Sequence, residues 1–277
     1  MSGCTVGGRG IPAIGNPGRA ACELPAGEPP ATPMVADHAL AEFATSELEI
    51  RAASIRGLMH RYRAQPRQDA FSVVHEQSSN TTLVVVCDGV GSLPRSHEAA
   101  ALVVDRLPGH FWTHRDWTAA VKAVNEELQE IAEHVMATTV VAAAITPGPA
   151  GWRLQIVRSD DSTVWALSPD GTWSPVSADA GADTAVHTGS VRALPAATPK
   201  LHETDTVLDG IALFVMTDGV DGPLRDAPEV RETLADWWSS PPTVFDFGSQ
   251  VGFARKTHMD DRTVVGIWPT ARDKDRQ

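Results

Sequence analysis

TTLVVVCDGVGS, residues 81–92, is an apolar, β-branched run that breaks at Asp88-Gly89, and its reading decides the fold. Valine and threonine favour an extended backbone and Asp-Gly interrupts it, so the stretch reads as a strand with an acid at its exit. IALFVMTDGV, residues 211–220, is built the same way and puts Asp218-Gly219 at a second strand exit. Two further acidic sites have the reverse order: Asp69 precedes FSVV, and Asp260 with Asp261 precedes RTVVGIW. In an antiparallel pair the exit of one strand lies beside the entrance of its neighbour. Pairing FSVV with LVVVC through a turn around Gln77 to Thr81 brings Asp69 to Asp88. The same argument brings Asp218 to Asp260, so four carboxylates are expected at one edge.

Uncompensated, such a cluster raises its own pKa values by like-charge repulsion, and convergence therefore asks for cations. All-oxygen ligands with no Cys or His at metal spacing favour magnesium or manganese over zinc. Two ions about 3.5–4 Å apart, sharing one carboxylate, generate a hydroxide and clamp a phosphoryl group for in-line attack. A single Asp-Gly after a strand is more often a turn than a ligand. It is the order and spacing of all four acids that point to a metal centre.

The rest of the chain fits a hairpin-rich fold. FSVVHE, TTVVAAAITP, WRLQIVR, STVWALSPDG and RTVVGIWP are further β-branched or aromatic runs with Gly, Pro, Asp or Asn punctuation, several too close together for a helical crossover. Helices are expected over residues 96–107 with Ser96 as N-cap, over 116–135 with Asp116 as N-cap, and over 228–238 from Pro228. The fold class expected is α+β, a central antiparallel β-sandwich flanked by helices on both faces. Residues 1–45 read as a disordered Gly/Pro/Ala-rich tail with a short helix near 36–46. Residues 46–270 read as the domain, and 271–277 as a polar tail.

The 277 residues carry 35 Asp and Glu against 23 Lys and Arg, a formal net charge of -12, which argues against nucleic acid or a membrane as partner. The 3 cysteines lack CxxC spacing, the amino terminus lacks the apolar core of a secretory signal, and no long apolar run occurs. A soluble, cytoplasmic, monomeric protein is expected. Cys87 reads as an inert core thiol, Ser92 and Ser96 as loop and cap residues without a nucleophile elbow, Trp237 and Trp238 as sheet packing, and His258 as a loop residue.

In sequence order these motifs resemble the type 2C metal-dependent serine/threonine protein phosphatases, from about Ile50 to Pro269. Gln68-Asp69-Ala-Phe resembles the opening acidic motif, VVVCDGVGS the central Asp-Gly, and Ala137-Thr138-Thr139 the Gly-Thr-Thr strand start. Asp161-Ser162 before VWALSPDG resembles the Gly-Asp-Ser hairpin, and VMTDGV and MDDRTVV the last two metal motifs. The resemblance implies that Asp88 bridges two Mn2+ or Mg2+ ions, that the Gly89 carbonyl serves the second, and that Asp218 and Asp260 complete the first. Asp69 supports this edge, and Asp161 belongs to a third, weaker site. It also implies water attack on a phosphoserine or phosphothreonine of a protein modified by a serine/threonine kinase.

Some positions depart from the family pattern. The usual Glu is Gln68, which removes a negative ligand from the second site and is a change associated with a divergent bacterial branch. The usual phosphate-gripping Arg falls on Ala64, leaving Arg61, Arg63 and Arg67 as neighbours, with Arg63 and Arg67 taken as the phosphate-binding residues. The usual general-acid His is Val90, so a proton must come from water or from a residue such as His60. Asp160 stands in place of Gly, and Asp221 sits one residue before the family's extra acid. There are two rival readings: a pseudophosphatase that docks partners because its metal site is weakened, and a haloacid-dehalogenase-like phosphotransferase. The second needs Asp-x-Asp after a parallel strand, which LVVVCDGVGS lacks.

Overall fold

The structure, a computed structural model, describes residues 5–6, 11–18, 35–160, 162–176 and 192–270. Strand β6 (Thr81–Cys87) is buried along its whole length. Leu83, Val85 and Cys87 face α2 (Ser96–His114) and α3 (Trp117–Ile131), while Val84 and Val86 face a second sheet. With both faces covered, the strand needs no polar side and reads as a continuous apolar run rather than an alternating one. Each such valine taken out of water stabilises the fold by about 1.5–3 kcal/mol.

β6 lies in a five-stranded sheet ordered β11 (His202–Leu208), β8 (Gly151–Arg158), β7 (Val141–Gly148), β6, β5 (Ala70–Glu76). The facing six-stranded sheet is ordered β10 (Trp173–Pro175), β9 (Thr163–Leu167), β12 (Ala212–Met216), β13 (Arg262–Pro269), β4 (Leu48–Ile55), β3 (His38–Ala44). All neighbouring pairs are antiparallel. A two-residue ribbon, β1 (Thr5–Val6) with β2 (Ile11–Pro12), stands apart from both sheets.

Helices α4 (Asp218–Asp226), α5 (Pro228–Trp237) and α6 (Val244–Val251) cover the outer face of the six-stranded sheet, and short α1 (Leu58–Tyr62) comes after β4. Val220, Leu224, Val230, Leu234 and Phe247 pack there on Phe214, Met216, Val264 and Trp268. The result is the expected α+β sandwich in four layers. Trp238 is buried in this layer and donates its indole N–H to Gln250 Oε1 at 3.0 Å, as the core reading of that residue requires. Among the described residues no helix is long and apolar enough to cross a membrane.

Three local expectations are corrected. Residues 38–44, assigned to a helix within a disordered tail, form β3 and pair along β4 from His38↔Ile55 to Ala44↔Glu49. Their helix-favouring alanines and leucine are overridden by a hairpin whose Thr45 Oγ1 accepts from Glu47 N and Leu48 N. The N-cap position of α2 is Arg95, not Ser96; Ser96 Oγ instead donates to Val90 O at 2.8 Å and ties down the loop after Asp88. α2 also runs through Pro108 to His114. Proline removes the donor that Val104 O would accept, and Ser72 Oγ from β5 supplies one at 2.7 Å, so the helix continues without an orphaned carbonyl.

Candidate metal centre

The strand register performs the convergence read from the sequence. Ala70 pairs with Cys87 and Met216 with Val264, which sets Asp69 beside Asp88 and Asp218 beside the 260–262 segment. Asp88 is half-buried, and burial first, then the charges of Asp69, Asp218 and Asp260, push its carboxyl well above the usual carboxylate range; a hydrogen bond with Asp218 adds to the rise. Asp69 is buried, and Thr217 Oγ1 and Thr263 Oγ1 donate to its Oδ2 at 2.9 and 2.8 Å. Those hydroxyls hold its pKa down, but burial and the charges of Asp261 and Asp260 win and raise it well up.

The backbone around Asp88 is fixed by the Ala137-Thr138-Thr139 motif. Thr139 N and Thr138 Oγ1 both donate to Asp88 O at 2.8 Å, and Val90 N donates to Ala137 O at 2.9 Å. Asp218 is held differently, as the first residue of α4, with Thr217 at the N-cap position. Arg262, buried over the Phe253 ring, donates Nε–H to Gly219 O at 3.0 Å and Nη2–H to His258 O at 2.8 Å, joining the α4 turn to the loop that carries Asp260. Burial takes its guanidinium down to about 10, with Asp260 and Asp261 pulling the other way. Gly219 permits this approach, since a Cβ there would lie 1.9 Å from Asp261 O.

Asp260 and Asp261 are neighbours with opposite surroundings: their side chains are 59 % and 1 % exposed. Asp260 faces a cleft of about 360 Å³, lined among others by His60, Arg63, Gly91, Asp218 and His258. Asp261 points inward, where Oδ1 accepts from Gly57 N at 2.6 Å and Oδ2 from Gln68 N at 2.5 Å. His60 Nδ1 stands 2.9 Å from Asp261 Oδ1. Burial works to lower the His60 pKa, but the Asp261 hydrogen bond and the charges of Asp261, Asp260 and Asp69 outweigh it and raise it. The roles of Asp261 and Arg262 had no counterpart in the sequence reading, although strand alternation would turn adjacent acids to opposite sides.

The two arginines taken for phosphate binding part company. Arg63 lines the cleft, whereas Arg67 donates Nη1–H to Asp69 O at 2.7 Å and to Ser54 Oγ, and Nε–H to Ala36 O at 3.2 Å. Arg67 thus serves the β4 and β5 backbone. Asp221 is buried beneath α4, where Thr163 Oγ1 and Trp165 Nε1 donate to its Oδ1 at 2.7 and 2.5 Å and Arg225 Nε lies 2.9 Å from Oδ2. Asp160 Oδ2 accepts from Arg192 N at 3.0 Å. Asp161 lies outside the described residues. Cys87 is fully buried, and burial pushes its thiol well up, as expected for an inert core residue.

The donors present fit hard divalent cations. Asp88, Asp218 and Asp260 offer carboxylate oxygens at one edge, and Gln68 Oε1 is a buried amide oxygen that takes no hydrogen bond among the described residues. An antiparallel sandwich with carboxylates gathered at its edge is the arrangement a metal-dependent hydrolase uses. The protein phosphatase 2C family description matches residues 56–245, and the chain belongs to that family of serine/threonine protein phosphatases. No curated protein sequence matches it. Among solved structures it resembles the serine/threonine phosphatase Stp1 from Staphylococcus aureus, with 19% identity over 82% of this chain and 97% of that one and a TM-score of 0.60. It also resembles the catalytic domain of PstP in complex with 2 manganese ions, with 21% identity over 81% and 99% and a TM-score of 0.53. RsbX in complex with magnesium is similar at 13% identity over 84% and 100%, with a TM-score of 0.56.

Proposed function

We propose that this chain hydrolyses phosphoserine and phosphothreonine on proteins with a water activated by a pair of Mn2+ or Mg2+ ions. The observation that carries the reading is the convergence of Asp69, Asp88, Asp218 and Asp260 at one sheet edge, where burial first and then the neighbouring acids push the Asp88 carboxyl up, beside a cleft that also holds Arg63. Asp88, Asp218 and Asp260 would hold the ions, with the Gly89 carbonyl and Gln68 as further oxygen donors on the same edge. Asp161 belongs to a weaker third site. Bound there, such ions lower the pKa of coordinated water and offset charge on a transferring phosphoryl group.

The protein's own groups do the remaining work. Arg63 holds phosphate oxygens in the cleft, where a guanidinium makes charge-assisted hydrogen bonds. Asp69 gathers Thr217 and Thr263 and so fixes the ends of β12 and β13 that present Asp218 and Asp260. We place the protein in the cytoplasm as a monomer acting on the products of a serine/threonine kinase. Turnover of a phosphothreonine peptide with manganese, with chelator and with Asp88→Asn tests the reading, while calorimetry counts the ions. Manganese-dependent turnover lost in both controls is expected. A folded protein that binds no ion and releases no phosphate would overturn it in favour of a docking module.

A further inference from the structure

The cleft contains one nitrogen donor whose orientation the all-oxygen account leaves unexplained. His60 is only 5 % exposed, yet it lines the cleft, and its two ring nitrogens have different surroundings. Nδ1 faces the Asp261 carboxylate, which is itself immobilised by Gly57 N and Gln68 N. Nε2 faces Gly91: a Cβ built on that glycine would lie 3.8 Å from His60 Nε2 and 3.9 Å from Gln68 Oε1. The imidazole nitrogen and the buried amide oxygen without a hydrogen-bond partner therefore flank the same point of the loop after Asp88.

We infer that His60 Nε2 is a nitrogen ligand of the metal centre, on the side where Gln68 stands in place of a carboxylate, and that it biases the centre toward Mn2+ over Mg2+. The inference rests on the metal-dependent reading above. Its chemistry is that of a carboxylate–histidine–metal relay: a carboxylate accepts the Nδ1 proton, fixes the tautomer and ring plane, and leaves the Nε2 lone pair directed at the cation. Asp261 Oδ1 stands 2.9 Å from Nδ1, at the carboxylate position of such a relay, and a small ring rotation would align the bond. Imidazole is a better ligand for transition cations than for magnesium, which prefers oxygen and retains its waters. The negative ligand given up at Gln68 is thus offset by a neutral nitrogen, with a change in the preferred ion.

Electron spin-echo modulation of the Mn2+-loaded full chain tests this. The wild-type protein should show 14N modulation from a directly bound imidazole, and His60→Asn and His60→Gln should lose it. In both variants Mn2+ affinity by calorimetry should fall at least 10-fold, the lower bound for loss of a ligand's supporting partner, while Mg2+ affinity changes much less. Bound Mn2+ without nitrogen modulation in the wild-type protein overturns the inference whatever the variants do, and leaves the phosphatase reading standing. Nitrogen modulation that persists in a folded His60 variant also overturns it. A wild-type chain that binds no Mn2+ at all overturns both readings together.

Discussion

Asp88-Gly89 and Asp218-Gly219 are the same dipeptide after the same kind of strand, and they lead into different structures. The first leaves β6 for an irregular loop, held from the side by Thr138 and Thr139. The second enters α4 at once, held from below by Asp221 and from the flank by Arg262. An Asp-Gly after an apolar run therefore marks where a strand stops, while tertiary partners decide whether a loop or a helix succeeds it. The acidic edge uses one of each, and its two halves have partly separate supports, with Asp69 joining them through Thr217 and Thr263.

The largest effect expected leaves the two halves alike. Asp88→Asn and Asp218→Asn should each lower kcat for a phosphothreonine peptide by about 10³-fold, a loss of the several kcal/mol that bound metal supplies to phosphoryl charge. With chelator present Asp88→Asn should melt a few degrees above the wild-type protein, because it removes one of the mutually repelling acids. Manganese should raise the wild-type melting temperature more than that of either variant. An Asp88→Asn protein that melts lower in chelator would break the repulsion argument.

The next effect separates the halves. Gly219→Ala drives a Cβ to 1.9 Å from a main-chain oxygen and should cost about 3 kcal/mol in urea unfolding. Gly89→Ala approaches Gln68 O at 2.8 Å and should cost about 1–2 kcal/mol, since a smaller shift relieves it. Asp221→Ala strands the buried Trp165 and Thr163 donors and should cost about 2 kcal/mol. The smallest change is Thr138→Val, which removes one donor to Asp88 O and should cost about 1 kcal/mol. A Gly89→Ala/Gly219→Ala double variant whose cost departs from the sum of the two singles would show that the halves are coupled.

The strand exits and entrances were legible because β-branched runs and Asp-Gly breaks are local signals, and antiparallel pairing turns them into a shared edge. Asp116 as the N-cap of α3 was legible for the same reason, and its Oδ1 does accept from Ala119 N at 2.7 Å. The hidden features depend on partners distant in sequence. HALAEFA carries helix-favouring residues and becomes a strand because β4 offers it a free edge. Pro108 reads as a helix stop, and nothing near it in sequence announces that Ser72 supplies the missing donor. Asp260 and Asp261 look equivalent in MDDRTVV; only the loop from Gly57 to Gln68, folded around it, makes one an anchor and leaves the other at the cleft.

That anchor sets a timetable for the molecule. Asp261 grips Gly57 and Gln68 across separations of 204 and 193 residues, and the strand immediately after it, β13, lies between β12 and β4 in the interior of its sheet. Contacts of such long range are among the last to form, because their loop-closure entropy must be met first. A ribosome-bound chain that has not yet produced residues 260–269 has the strands of Asp69, Asp88 and Asp218 but neither the acid nor the clasp that joins them. Until residues 260–269 are made, the acidic edge therefore lacks both Asp260 and the Asp261 clasp on the Gly57 to Gln68 loop.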